Sequence, residues 1–159
     1  MYLNKTNLFL VISICLIFFF LNYYDVKSSE LKIIDGDTIN LNGEKIRFSG
    51  IDTPEIKQTC TKNNEVIKCG IKAKELLIKV IGNEKINCVR EGEDQYKRTL
   101  AECFVNELSL SSYLVKSGYA FAYRKYSKKF ITDEDFARSN NLGMWSMKFE
   151  YPWDWRKKN

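Results

Sequence analysis

Three short runs rich in β-branched and apolar residues, Leu31–Ile34, Thr38–Leu41 and Lys45–Phe48, are separated only by Asp35-Gly36-Asp37 and Asn42-Gly43-Glu44. Asp-Gly and Asn-Gly are the strongest short turn signals, because these residues tolerate the left-handed backbone that a tight hairpin needs. The segment reads as a β-meander, and the rest of the chain has to cover its apolar face. Ile51 to Gly70 reads as a loop. Ala73, Leu76, Leu77, Val80 and Ile81 then recur at helical spacing until Gly82 stops them. Two further strands, Lys85–Arg90 and Thr99–Val105, are joined by the charged segment Glu91 to Arg98. A second helix runs from about Ser109 to Ser117, with Gly118 as its cap, and Thr132 with Asp133, Glu134 and Asp135 marks the capped start of a third that ends near Asn140-Asn141. The expectation is a mainly β, α+β fold: a five-stranded OB-fold barrel with about three helices, in one domain over residues 29–159.

The 159 residues include no histidine. That excludes the Ser-His triad, the Cys-His pair and imidazole as a general base or zinc ligand, so acid–base chemistry falls to carboxylates, Lys, Tyr or Cys. The net charge is +5, and +4 without residues 1–28. Basic and aromatic residues interleave from Tyr123 to Phe130, a pattern able to follow a phosphate backbone while stacking on bases. Trp145, Trp153 and Trp155 read as packing residues, and Arg156-Lys157-Lys158 as a solvated basic terminus.

The apolar run from Leu8 to Leu21, broken only by Ser13, follows Lys5 and precedes a polar stretch. It is short for a membrane span, so residues 1–28 read as a signal peptide, cleaved after Ser28, or as an N-terminal anchor. The expected location is outside the cytoplasm: secreted or periplasmic, and membrane-anchored if the segment is retained. Cys60, Cys69, Cys88 and Cys103 then meet an oxidising compartment. Three pairings are open to them. Pairing in order, Cys60 with Cys69 and Cys88 with Cys103, closes two local loops, the second worth roughly 3 kcal/mol in the chain-entropy account. A zinc site is disfavoured because no CxxC spacing occurs.

Two segments concentrate the chemistry: Asp35-Gly36-Asp37-Thr38, and Arg47-Phe48-Ser49-Gly50-Ile51-Asp52-Thr53-Pro54-Glu55. Two loops at one end of a meander would gather Asp37, Asp52 and Glu55, three carboxylates that need a neutralising charge. Oxygen-only ligands suit a hard cation such as Ca²⁺ or Mg²⁺. With a third segment, Asp94-Gln95-Tyr96-Lys97-Arg98, the chain resembles the staphylococcal nuclease family, the thermonucleases, over roughly Leu31 to Trp145. The later stretches Gly118-Tyr119-Ala120, Ala122 to Ser127 and Leu142 to Trp145 resemble its secreted bacterial members.

The resemblance implies a Ca²⁺-dependent endonuclease that cleaves DNA and RNA, preferably single-stranded, with little sequence preference, to 3′-phosphate products. It implies that Asp37 and Asp52 bind Ca²⁺ through carboxylates and Thr53 through its backbone carbonyl, that Glu55 orients or deprotonates the attacking water, and that Arg47 and Arg98 clamp the phosphate. Asp35 would lie in the outer sphere of the metal, Asp94 beside Arg98, and Tyr96 and Tyr123 against the nucleotide. Lys97 departs from the family's usual glycine before the second arginine. The expected enzyme is a monomer with no obligate protein partner. The alternative is a non-catalytic OB-fold module that binds nucleic acid, and the intact set Asp37, Arg47, Asp52, Glu55 and Arg98 argues for the enzyme.

Overall fold

The computed structural model describes residues 30–159, so the apolar run Leu8–Leu21, Cys15 and the cleavage position lie outside the described residues. Among the described residues no helix is long and apolar enough to cross a membrane.

The meander forms as expected. β1 (Leu31–Ile33), β2 (Thr38–Leu41) and β3 (Glu44–Phe48) pair antiparallel, with Ile33 opposite Ile39 and Ile39 opposite Ile46. The Asn42-Gly43 turn places both residues in the left-handed region, at φ 54° and 86°. The other edge of β3 pairs in parallel with β8 (Thr99–Val105), which pairs antiparallel with β7 (Asn87–Glu93). The sheet order is β1-β2-β3-β8-β7, with short β9 (Leu108–Ser109) beside β8. This is the α+β, OB-like arrangement expected. Among the described residues, strand pairing does not close a barrel, since β1 and β7 end the path unpaired with each other. The interior is instead filled from α1 (Cys69–Ile81) and α2 (Leu110–Lys116), whose Leu77, Ile81, Leu110, Leu114 and Val115 share one buried core with Ile39, Ile46, Phe48 and Ala101. Each such side chain contributes about 1.5–3 kcal/mol by leaving water.

Helix ends follow their caps. Gly82 ends α1 at φ 54° with its N–H on the Ile78 carbonyl, and the Ser109 hydroxyl accepts the Ser112 N–H at the start of α2. The third helix, α3 (Ile131–Ser139), departs from expectation: Phe130, not Thr132, stands at its cap, and no side chain caps it. Phe130 is drawn into the core, so burial rather than capping sets where the helix begins.

The stretch expected as a single loop is more ordered. β4 (Ile51–Asp52) pairs with β10 (Phe121–Ala122), and β5 (Cys60–Lys62) forms a hairpin with β6 (Glu65–Ile67), turned by Asn63 and Asn64 at positive φ. Cys60 is bonded to Cys69 and Cys88 to Cys103, the in-order pairing. A fourth α-helix, α4 (Pro152–Lys158), forms where a solvated terminus was expected. Proline at its first position suits a helix start, and an aromatic cluster fixes its base. Tyr151 stacks on Trp153 at 4.6 Å, and Phe121 packs edge-on to both.

Candidate active site

Arg47 leaves β3 beside the turn carrying Asp37 and the strand carrying Asp52, and it ties the two together. Its Nη1 donates to Asp37 Oδ1, while Nη2 donates to Asp52 Oδ1 at 2.8 Å and to the Ile51 carbonyl at 3.3 Å. The second Asp37 oxygen accepts the Thr53 N–H at 2.9 Å and the Thr53 hydroxyl at 3.0 Å. Gly36 permits this closeness, because a Cβ there would lie 2.9 Å from both Thr53 Oγ1 and the Ala73 side chain. Both aspartates are buried.

The electrostatics show crowding of like charge. Burial and the neighbouring Asp37 charge push the Asp35 carboxyl up to about 6. Burial likewise lifts Asp52 above the ordinary carboxylate range; Asp37 adds to this, and Arg156 and Arg47 oppose it without cancelling it. Burial would lower the Arg47 guanidinium, but Asp37 and Asp52 hold it above its ordinary value. Asp35, Asp37, Asp52 and Glu55 against the guanidiniums of Arg47 and Arg156 therefore leave carboxylates in excess.

Glu55 follows on a loop that is held from two sides. The buried Gln58 accepts the Glu55 N–H at 3.2 Å through Oε1, and its own N–H donates to the Glu55 carbonyl at 2.7 Å. Gly70, at the start of α1, packs so tightly that a Cβ would lie 1.8 Å from the Glu55 carbonyl oxygen. Arg98 stands across the cavity at the β7–β8 turn. Asp94 accepts the Arg98 Nε at 2.6 Å, the Arg98 N–H at 2.9 Å and the Tyr96 N–H at 2.8 Å. Burial alone would raise the Asp94 carboxyl, but these bonds from Arg98 and Tyr96 hold it below its ordinary value. Lys97 adopts φ 59°, so the turn keeps the conformation that glycine would favour.

A cavity of about 1060 Å³ collects Asp35, Asp37, Arg47, Thr53, Glu55, Asp94, Tyr96, Arg98 and Tyr123 on one surface. Asp52 lies just behind it, reached through Arg47. Tyr96 is exposed, with the Arg98 guanidinium 5.5 Å from its ring centre. Tyr123 lies parallel to Trp153 at 5.8 Å and meets Tyr126 edge-on at 4.9 Å. Among the described residues, no three carboxylates or thiols converge as a ready cage for a metal. Glu55 joins Asp52 through a guanidinium, that of Arg156.

Arg156 is the member that the sequence does not reveal, since it reads there as part of a solvated basic terminus. Its signals were the Pro152 helix start and the negative charge left over in the motif. The basic-aromatic segment is also tied down more than expected. Arg124 pairs with buried Glu134, whose other oxygen accepts the Ala122 N–H at 2.9 Å, and Lys129 pairs with Glu102. Phe130 is core, which leaves Tyr123, Lys125, Tyr126 and Lys128 as the part able to meet a ligand.

The domain is an OB-like sheet carrying a buried Asp-Arg-Asp network, with a second arginine across a cavity. The family described as staphylococcal nuclease homologue matches residues 45–147, and the chain belongs to it. A probable staphylococcal-like nuclease of Oryza sativa is 32% identical over 116 residues, which cover 71% of this chain and 29% of that protein. An uncharacterized endonuclease of Haemophilus influenzae is 29% identical over 123 residues, covering 73% of this chain and 64% of that protein. A staphylococcal-like nuclease of Arabidopsis thaliana is 31% identical over 116 residues, covering 71% of this chain and 33% of that protein. The chain thus spans about a third or less of the plant relatives' length.

Proposed function

We propose that this chain is an endonuclease that hydrolyses the phosphodiester bonds of DNA and RNA, preferably single-stranded, with little sequence preference, and that it requires Ca²⁺. The observation that carries the reading is the pair of guanidiniums, Arg47 and Arg98, lining one cavity with Glu55. Relatives named nucleases support it. The donor chemistry fits a hard dication: oxygen atoms only, on aspartates crowded enough to lift Asp35 and Asp52. Asp37 and Asp52 with the Thr53 carbonyl are the residues that would hold it. Bound there, Ca²⁺ would supply Lewis-acid polarisation of a phosphoryl oxygen and a more acidic water.

The chain's own residues do the rest. The Arg98 fork is held through Nε by Asp94, which leaves both Nη groups for two non-bridging phosphate oxygens. Arg47 supplies the second positive charge. As water adds to phosphorus, charge builds on those oxygens, and the fixed guanidiniums bind the transition state more strongly than the substrate. A Glu55 carboxylate oxygen takes the proton from the water, since the chain has no imidazole. The bond from phosphorus to the 5′ oxygen breaks, that oxygen takes up a proton from solvent, Glu55 returns its proton to solvent, and a 3′-phosphate remains. Tyr96, Tyr123 and exposed Tyr126 offer ring faces and edges to unpaired bases. Two disulfides support placing the working enzyme, a monomer, in an oxidising compartment outside the cytoplasm.

The test is a divalent-metal series on single- and double-stranded DNA and on RNA, with the product ends mapped. Cleavage with Ca²⁺ to 3′-phosphates is expected. Uncut DNA and RNA from a protein with a normal unfolding transition would sink the enzymatic reading.

A further inference from the structure

Arg156 has no part in the chemistry above, yet it makes three hydrogen bonds to the carboxylates of the site. It arrives from a position more than 100 residues along the chain from both partners. Nη1 donates to Glu55 Oε1 at 2.8 Å and to Asp52 Oδ1 at 3.2 Å, and Nη2 donates to Asp52 Oδ2 at 2.7 Å. With Arg47 on Asp52 Oδ1, both oxygens of Asp52 are engaged by guanidinium protons. Asp37 is equally occupied: Arg47 and the Thr38 hydroxyl donate to Oδ1, and the Thr53 N–H and hydroxyl donate to Oδ2. Every carboxylate oxygen of the two aspartates therefore already has a donor.

These donors differ in how firmly they are placed. Thr38, Arg47 and Thr53 belong to the meander or adjoin β4, where the surrounding sheet fixes them. Arg156 stands in the last turn of a terminal helix, with 37% of its side chain exposed. The entry to that helix carries its buried anchors, while in its last turn, Arg156 apart, Lys158 pairs with Glu150 through a largely exposed side chain. The Gln58 side chain donates to the Glu150 carbonyl at 2.7 Å, Thr61 and Lys148 form a β-bridge, and Tyr151 and Trp153 stack. The charge on Asp52 and Glu55 calls for a cation, and Arg156 supplies one that can leave.

We propose that Arg156 is a positioning residue and the chain's internal competitor for the catalytic cation. It clasps Asp52 to Glu55 while the site holds no dication, and a dication entering at Asp37 and Asp52 displaces it. Displacement frees a lone pair on Asp52, releases Glu55 toward water and undocks the last turn of α4. The inference rests on the cation reading of the proposed function. It assigns to the C-terminal helix the task of keeping four crowded carboxylates from standing uncompensated, and of coupling metal entry to the release of the general base.

The test uses the full chain without substrate. Ca²⁺ is titrated calorimetrically into wild type, Arg156→Ala and Arg156→Lys, and amide exchange over residues 152–158 is followed with and without Ca²⁺. Removing a competitor raises the fraction of molecules whose site is open, and the apparent dissociation constant falls in proportion. Arg156→Ala should bind Ca²⁺ about tenfold more tightly, and Arg156→Lys, which keeps the charge but loses the fork, should fall between. Exchange in α4 of the wild type should quicken when Ca²⁺ is added. Equal or weaker Ca²⁺ binding by Arg156→Ala, or α4 amides that Ca²⁺ leaves unchanged or protects, overturns the proposal while the cation reading stands. No Ca²⁺ binding by any of the three proteins would remove the cation reading, and this proposal with it.

Discussion

Arg47 and Arg98 bring the same guanidinium to the same cavity by opposite constructions. Arg47 is held by residues drawn from two separate elements: Asp37 in the turn before β2, and Asp52 with the Ile51 carbonyl in β4. Arg98 is held by Asp94, four residues away in its own hairpin turn. The first is a tertiary network in which burial makes each charge depend on the others; the second is a local device contained within one turn. The difference teaches that equal chemistry need not mean equal structural cost. Removing Arg47 leaves Asp37 without its charge partner in a buried place, whereas Asp94 without Arg98 would remain near solvent and keep its bonds to backbone N–H groups.

The sharpest way to break the contrast is Arg47→Ala. Stranding a buried carboxylate costs about 3–5 kcal/mol, so the urea midpoint should fall steeply in the absence of metal, and turnover should vanish. Unfolding stability equal to that of wild type would show that the Asp-Arg-Asp network is not a structural unit. Arg98→Ala should invert the pattern. Stability should change by no more than about 1 kcal/mol, as for an accessible pair, while single-turnover cleavage slows roughly 10²- to 10³-fold, the usual effect of deleting one transition-state donor. Arg98→Lys should recover only part of that loss, because the fork is gone. Near-normal cleavage by both variants would remove the phosphate-binding role.

The same contrast explains what could be read in the sequence. Asp35-Gly36-Asp37, Arg47 to Glu55 and Asp94 to Arg98 are contiguous segments in which turn chemistry dictates local shape, and their side chains line one cavity. Gly82 as a helix stop was legible for the same reason. Arg156 was not, because its partners lie in β4 and its following loop, and nothing local distinguishes it from the lysines that follow. Gln58 and Glu134 were hidden likewise, since a buried polar anchor looks like any surface residue until the backbone group it satisfies is known. Phe130 shows the converse error: an aromatic among lysines suggested a stacking platform, yet its ring belongs to the core. The β5–β6 hairpin could have been found from Asn63-Asn64, two residues that tolerate positive φ.

The hairpin tip permits a smaller test of how local the Arg98 device is. The folded Asp94 carboxyl sits below its ordinary value, so its contribution to stability is fully present above the unfolded carboxylate pKa of about 3.9 and fades as pH falls through the folded one. Asp94→Asn has no such dependence. Wild type should exceed the variant by at most about 1 kcal/mol at pH 7, and the gap should close on acidification below about pH 4. A gap that persists to pH 2 would mean that the carboxyl acts through its hydrogen-bond geometry rather than its charge.

Lys97→Gly should show the smallest effect, and of opposite sign. Lys97 adopts φ 59° within a turn whose neighbours are already pinned by Asp94. A side chain in that region costs about 1–2 kcal/mol, and glycine relieves this while paying roughly 0.5–1 kcal/mol in unfolded-state entropy. The variant should therefore be no less stable, by a margin of up to about 1.5 kcal/mol, visible as a higher urea midpoint with an unchanged slope. Because Asp94 rather than Lys97 orients the Arg98 fork, the turnover number should stay within about twofold of wild type. A Lys97→Gly protein that is more stable but cleaves tenfold more slowly would show that the strained residue aims the arginine, and the Arg98 device would then be less local than its hydrogen bonds imply.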